Sequence, residues 1–107
     1  MPSTSEIFQE LQNRLQNHPD KVAGLNGVFQ FALSGEDGGN YYISVNNGSA
    51  EVAQGMHNAP GVTISMTADN FKEMVAGRLN PTSAFFSGQL QIKGDMGMAL
   101  RLQSLIG

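Results

Sequence analysis

The chain has 107 residues, 40% hydrophobic and 14% charged, with a net charge of −3, which fits one globular domain and argues against broad nucleic-acid binding. It has no cysteine, which excludes disulfides, thiol nucleophiles and thiolate metal sites. No apolar run approaches the roughly 18 residues of a membrane span, and the start, Met1-Pro2-Ser3-Thr4-Ser5-Glu6, lacks the basic and apolar regions of a signal peptide, so the expectation is a cytoplasmic, single-domain protein over residues 1–107.

Ser3 and Glu6 have capping-box spacing, and Ile7, Phe8, Leu11 and Leu15 recur at helical spacing until His18-Pro19. This predicts a helix over 5–17 with one apolar stripe. Residues 28–34 read as a strand with Phe29, Phe31 and Leu33 on one face and Val28, Gln30 and Ala32 on the other. After a turn-rich run from Gly35 to Asn40, Tyr41 to Val45 forms a second strand. Asn47-Gly48 is a type I′ hairpin signal leading to a third strand at 49–54. Residues 28–54 thus read as an antiparallel meander.

A loop through Gly55, Asn58, Pro60 and Gly61 precedes a half-buried strand, in which Val62, Ile64 and Met66 alternate with Thr63, Ser65 and Thr67. Thr67 then caps a helix carrying Phe71, Met74 and Val75 and closing at Gly77. Asn80-Pro81 opens a short helix with Ala84, Phe85 and Phe86 that stops at Gly88. Leu90 and Ile92 alternate with Gln91 and Lys93 in a fifth strand. Gly94 breaks it, and Asp95 caps a last helix over 96–106.

No catalytic constellation emerges from these elements. His18 and His57 are the only imidazoles, and both read as surface residues. No nucleophile elbow, phosphate loop or His-Glu-x-x-His pattern occurs. The conspicuous feature is an apolar excess. A surface helix needs only about a third of its circumference apolar, yet Met98, Leu102 and Ile106 form one row and Ala99 and Leu100 widen it. Phe85 and Phe86 are adjacent and therefore diverge. Charge is uneven as well: residues 1–69 carry −5 and residues 70–107 carry +2, through Lys72, Arg78, Lys93 and Arg101 against Glu73 and Asp95. A weakly basic C-terminal face able to meet anionic head groups is one reading; ordinary surface scatter is the other.

The run Asn80-Pro81-Thr82-Ser83-Ala84-Phe85-Phe86-Ser87-Gly88, followed by Leu90, Ile92, Gly94, Met96-Gly97 and Leu102-Gln103, closely resembles the sterol carrier protein 2 family. Val62 to Thr67 running into Phe71 is similar to that family too. The resemblance covers essentially the whole chain and is most specific over 78–105. It implies an α+β fold: a five-stranded, mainly antiparallel sheet with helices packed on one face and an apolar tunnel between them. It also implies loose binding of sterols, fatty acids, fatty acyl-CoAs or phospholipids, with no cofactor, no metal and no catalysis. Two departures stand out. Asp95 replaces an asparagine common there, and either residue caps a helix. The chain ends Leu105-Ile106-Gly107 without a Ser-Lys-Leu-type signal, so peroxisomal import is not expected.

Within that resemblance the tunnel candidates are Phe71, Val75, Phe85, Met98, Leu100, Leu102 and Ile106, with Gln103 as a head-group contact. The internal methionines suit an adaptable wall as well as an ordinary core. Three functions are compatible with these residues: an intracellular lipid carrier, a domain presenting a lipidic substrate to a partner enzyme, and a dimerising module with a closed tunnel. The expected partners are a long-chain lipid and, transiently, a membrane or a lipid-metabolising enzyme, with the protein a monomer or weak dimer.

Overall fold

The computed structural model describes residues 2–106. Helix α1 spans Thr4–Asn17, and the predicted capping box is formed: the Ser3 hydroxyl accepts from the Glu6 N–H, and the Glu6 carboxylate accepts from the Ser3 N–H. A 3-10 turn at Pro19–Val22, absent from the sequence reading, follows. The strands β1 (Gly27–Ser34), β2 (Gly39–Asn46) and β3 (Ser49–Gln54) form the predicted meander. Asn47 and Gly48 both take positive φ, +52° and +81°, as a type I′ turn requires. Strand β4 (Val62–Thr67) leads into α2 (Ala68–Val75), α3 (Pro81–Phe86) and β5 (Gln91–Gly94).

The predicted last helix is two. Helix α4 covers Met96–Ala99 and α5 covers Leu102–Ile106. Between them the Arg101 N–H bonds back three residues to the Met98 carbonyl, tightening the turn. The polar residues of the run, Arg101, Gln103 and Ser104, do not mark where the helix breaks.

The strand order is β3-β2-β1-β4-β5, all pairs antiparallel except β1 with β4. The registers Phe29↔Ile43↔Val52 and Phe31↔Ile64↔Ile92 place the large apolar side chains on one face, and the helices cover that face. The chain reaches β4 from β3 by crossing the other face. There the buried Gln30 amide donates to the Gly55 and Tyr41 carbonyls (3.0 and 3.1 Å) and accepts from the His57 N–H (2.8 Å). His57, expected at the surface, is half-buried: its ring meets Tyr42 edge-on, and its Nδ1 accepts from the Ala59 N–H.

Over β1 and β2 the core is aromatic. Phe8 of α1 stacks between Tyr41 (centroids 4.3 Å apart) and Phe71 (5.0 Å), with Phe31 edge-on to both Phe8 and Phe71. Burying one such ring is worth about 1.5–3 kcal/mol, and each aromatic pair adds roughly 0.5–1.5 kcal/mol. Asp37, at the tip of the β1–β2 hairpin, clamps this half. Its carboxylate accepts from the Thr4 N–H (2.9 Å) and from Lys72 Nζ (2.8 Å), while the Thr4 hydroxyl donates to the Asp37 carbonyl (2.7 Å). The Lys72 ammonium and then the Thr4 amide hold the Asp37 carboxyl below its ordinary range; the same carboxylate raises Lys72.

Candidate functional site

The other half of the helical layer leaves apolar surface open. Asn80 caps α3, its side-chain oxygen accepting from the Thr82 and Ser83 N–H groups (2.9 and 3.2 Å), with Pro81 in the first turn. Helix α3 buries only Ala84. The Ala84 carbonyl accepts from both Gln89 and Leu90, a turn that leaves Leu90 buried. Phe85 and Phe86 diverge, their rings at 67°, and Phe86 stays 80% exposed. Across from them, Asp95 caps α4 through the Gly97 and Met98 N–H groups. The tight turn that follows leaves Leu100 80% exposed and Leu102 buried.

These elements enclose a cleft of about 230 Å³. Its walls are Phe85 and Phe86 from α3, Leu90 and Ile92 from β5 and the residue before it, and Met96 and Leu100 on the α4 side. Leu102 and Gln103 close it from α5. Among the described residues no charged one lines it, and Thr82 and Gln103 are its polar side chains. Four of the five exposed large hydrophobics among the described residues, Phe85, Phe86, Met96 and Leu100, stand on this one cleft. Such clustering of apolar surface makes the cleft the candidate site.

A larger groove of about 450 Å³ runs between α1 and β3, but Gln9, Gln12, Asn13 and Gln54 line it. Gln12 is committed to structure there, donating to the Ala50 carbonyl (3.0 Å) and accepting from the Val52 N–H (2.5 Å) along the sheet's open edge. Volume favours that groove; the chemistry of an apolar ligand favours the cleft.

The candidates from the sequence separate into three groups. Phe85, Leu100, Leu102 and Gln103 come together on the cleft. Val75 and Ile106 line an adjoining cavity of about 420 Å³, which Gln103 also borders. Phe71 and Met98 line neither. Phe71 is sealed under Phe8. Met98 sits over the ends of β1 and β4, where a Cβ would come within 2.6 Å of its terminal methyl at Gly27 and of its sulfur at Gly61. Helical spacing makes core and ligand faces look alike, so α2 offered no signal to part Phe71 from Val75. The sequence reading left out Phe86, Leu90, Ile92 and Met96 as cleft walls. Ile92 faces the helices by strand alternation, a signal that was present; Met96 needed the break between α4 and α5.

The basic C-terminal face is also smaller than composition suggested. Lys72 pairs with Asp37 and Arg78 with Glu73. Arg101 donates to the Ala23 carbonyl (3.3 Å). No helix among the described residues is long and apolar enough to cross a membrane.

A model of the SCP-2 sterol transfer family matches residues 8–107. Hydroxysteroid dehydrogenase-like protein 2 of Xenopus tropicalis is 38% identical over 103 residues, covering 95% of this chain and 24% of that protein. The chain thus spans about a quarter of the length of the curated relatives it matches. Among solved structures, the sterol carrier protein domain 2 of Helicoverpa armigera superposes with a TM-score of 0.78 at 26% identity, over 94% of this chain and 82% of that one. Palmitated SCP2L2 from Aedes aegypti superposes with a TM-score of 0.78 at 21% identity, over 98% and 95%.

Proposed function

The chain belongs to the SCP-2 sterol transfer family, and on that premise we propose that it binds the acyl chain of a fatty acid, fatty acyl-CoA or similar long lipid in the α3–β5–α4–α5 cleft and carries it without chemical change. The observation that carries this reading is the apolar rim: Phe86 and Leu100 are each 80% exposed on a cleft with no charged lining. A ligand that covers the exposed ring and leucine removes their apolar surface from water, and each methylene it buries contributes about 0.8 kcal/mol. The Aedes aegypti neighbour was solved palmitated, which supports a saturated acyl chain as the ligand class. Carriage rather than catalysis fits the position of the imidazoles. His18 ends α1 and His57 lies on the sheet face opposite the helices, both away from the cleft lining.

At about 230 Å³ the cleft is smaller than the roughly 300–1,000 Å³ of pockets that engulf drug-sized ligands. A long chain therefore widens it. The wall suited to move is α3, which is held by one buried alanine and lies between Gly77 and Gly88, both at φ +82°. The test is titration of delipidated protein with saturated fatty acids of rising length. Affinity rises with length and then levels off; equal, weak binding across the series rejects a lipid site.

A second reading is favoured by one observation: the relatives are dehydrogenase-like proteins of which this chain matches about a quarter. In it the domain presents a lipidic substrate to an oxidoreductase partner. The discriminating experiment adds the lipid-loaded protein to candidate dehydrogenases. Faster turnover of carried than of free substrate supports presentation, and identical rates support plain carriage.

A further inference from the structure

Two cavities share a boundary. Pro81, at the start of α3, and Gln103, near the start of α5, line both the cleft of about 230 Å³ and the adjoining cavity of about 420 Å³. Beyond that boundary the second cavity has an apolar side, Met74, Val75, Leu79 and Ile106, and a polar side of equal weight at Gly77, Arg78 and Asn80, with Arg78 paired to Glu73. Gln103 and Ile106 are three residues apart on α5 and share a helix face, so one side of α5 runs along both spaces. Gln103 is exposed, and no hydrogen bond among the described residues fixes its amide.

We propose that Gln103 is the chain-length determinant of this protein: with Pro81 it forms the waist an acyl chain must pass once it outgrows the cleft. The inference rests on the lipid-binding reading above. Within the cleft, each added methylene meets Phe85, Leu90 or Leu102 and raises affinity about fourfold. At the waist a methylene instead covers an amide that has no protein partner and must shed its water, so the gain there is smaller. Past the waist the chain meets Val75 and Ile106, and the gain resumes. The sequence reading gave Gln103 to the head group; on this proposal its place between the cleft and the apolar side of the adjoining cavity gives it to the middle of the chain.

The experiment titrates the delipidated full chain, and its Gln103→Ala and Gln103→Trp variants, with octanoate, dodecanoate and hexadecanoate by calorimetry. The quantity read is the ratio of hexadecanoate to octanoate affinity. It rises about tenfold or more in Gln103→Ala, where the waist is wide and apolar, and falls about tenfold or more in Gln103→Trp, where it is plugged. Thermal unfolding shows that each variant is folded, and if Gln103→Trp fails to fold, the ratio for Gln103→Ala decides. Ratios within about twofold of the parent in the folded variants overturn the waist while leaving the cleft as a lipid site. A parent protein that binds none of the three acids, or all three equally, overturns the lipid reading and the waist with it.

Discussion

Over β1 and β2, Phe8 is closed between Tyr41 and Phe71, and the hairpin tip is tied to α1 and α2 through Asp37. Over β4 and β5, the same sheet face is covered by three helices of four to six residues that leave Phe86 and Leu100 in solvent. The first half completes its core within the chain. The second presents apolar surface that folding alone does not cover. The difference separates residues that hold the fold from residues free to serve a ligand, although both kinds are phenylalanines and leucines at helical spacing.

Phe8→Ala breaks the closed half most severely. Deleting the central ring of the stack costs about 3–5 kcal/mol, read as a large fall in the denaturation midpoint, while lipid affinity per folded molecule is retained. Gly94→Ala acts at the seam. Gly94 ends β5 at φ +113°, and a Cβ there would lie 2.5 Å from the Gly61 carbonyl oxygen and 3.0 Å from the Val62 Cα. The strain costs roughly 1–3 kcal/mol and, because β5 walls the cleft, lowers stability and lipid affinity together. Loss of stability with full affinity would detach β5 from the site.

Phe86→Ser or Leu100→Ser sharpens the contrast from the open side. Neither side chain packs in the core, so stability changes by no more than about 0.5 kcal/mol. Affinity for hexadecanoate falls about tenfold, as removal of one apolar wall side chain requires. A stability loss with unchanged affinity would make these residues part of the fold.

The smallest effect depends on pH. Because the folded state lowers the Asp37 pKa, the stabilisation is fully present above the ordinary carboxylate value and is lost as pH falls through the lowered one. Lys72, raised by the same contact, contributes below its ordinary value and loses that contribution as pH rises through the raised one. The midpoint difference between the parent and Asp37→Asn is therefore constant near neutrality and shrinks in acid, with lipid affinity at neutral pH the same in both. A difference that persists into strong acid would remove the clamp from the account.

Much of the closed half was legible in the sequence, because it is built from local signals. The Ser3–Glu6 capping box, the Asn47-Gly48 turn, the alternation of β1, β2 and β4, and the Thr67 cap are all formed as read, and in the open half so are the Asn80-Pro81 helix start and the Asp95 cap. The pairing of β1 with β4 was not legible, since it joins strands 28 residues or more apart through no local motif. The open half was legible as an excess rather than as a geometry. The residues of 96–106 were seen to be too apolar for one face, but the turn at Arg101 that sends Leu100 outward and Leu102 inward leaves no mark in composition. For the same reason Phe71 and Met98 were grouped with Leu102, although the first is sealed under Phe8 and the second fills a notch at Gly27 and Gly61.

Amide hydrogen exchange with and without hexadecanoate tests the central claim most directly, because bound ligand slows exchange where it orders the backbone. The account predicts protection over residues 81–106, around α3, β5, α4 and α5, with α1 and β3 unchanged. Protection confined to α1 and β3, along the polar groove of Gln9, Gln12 and Gln54, with residues 81–106 unchanged, would contradict it.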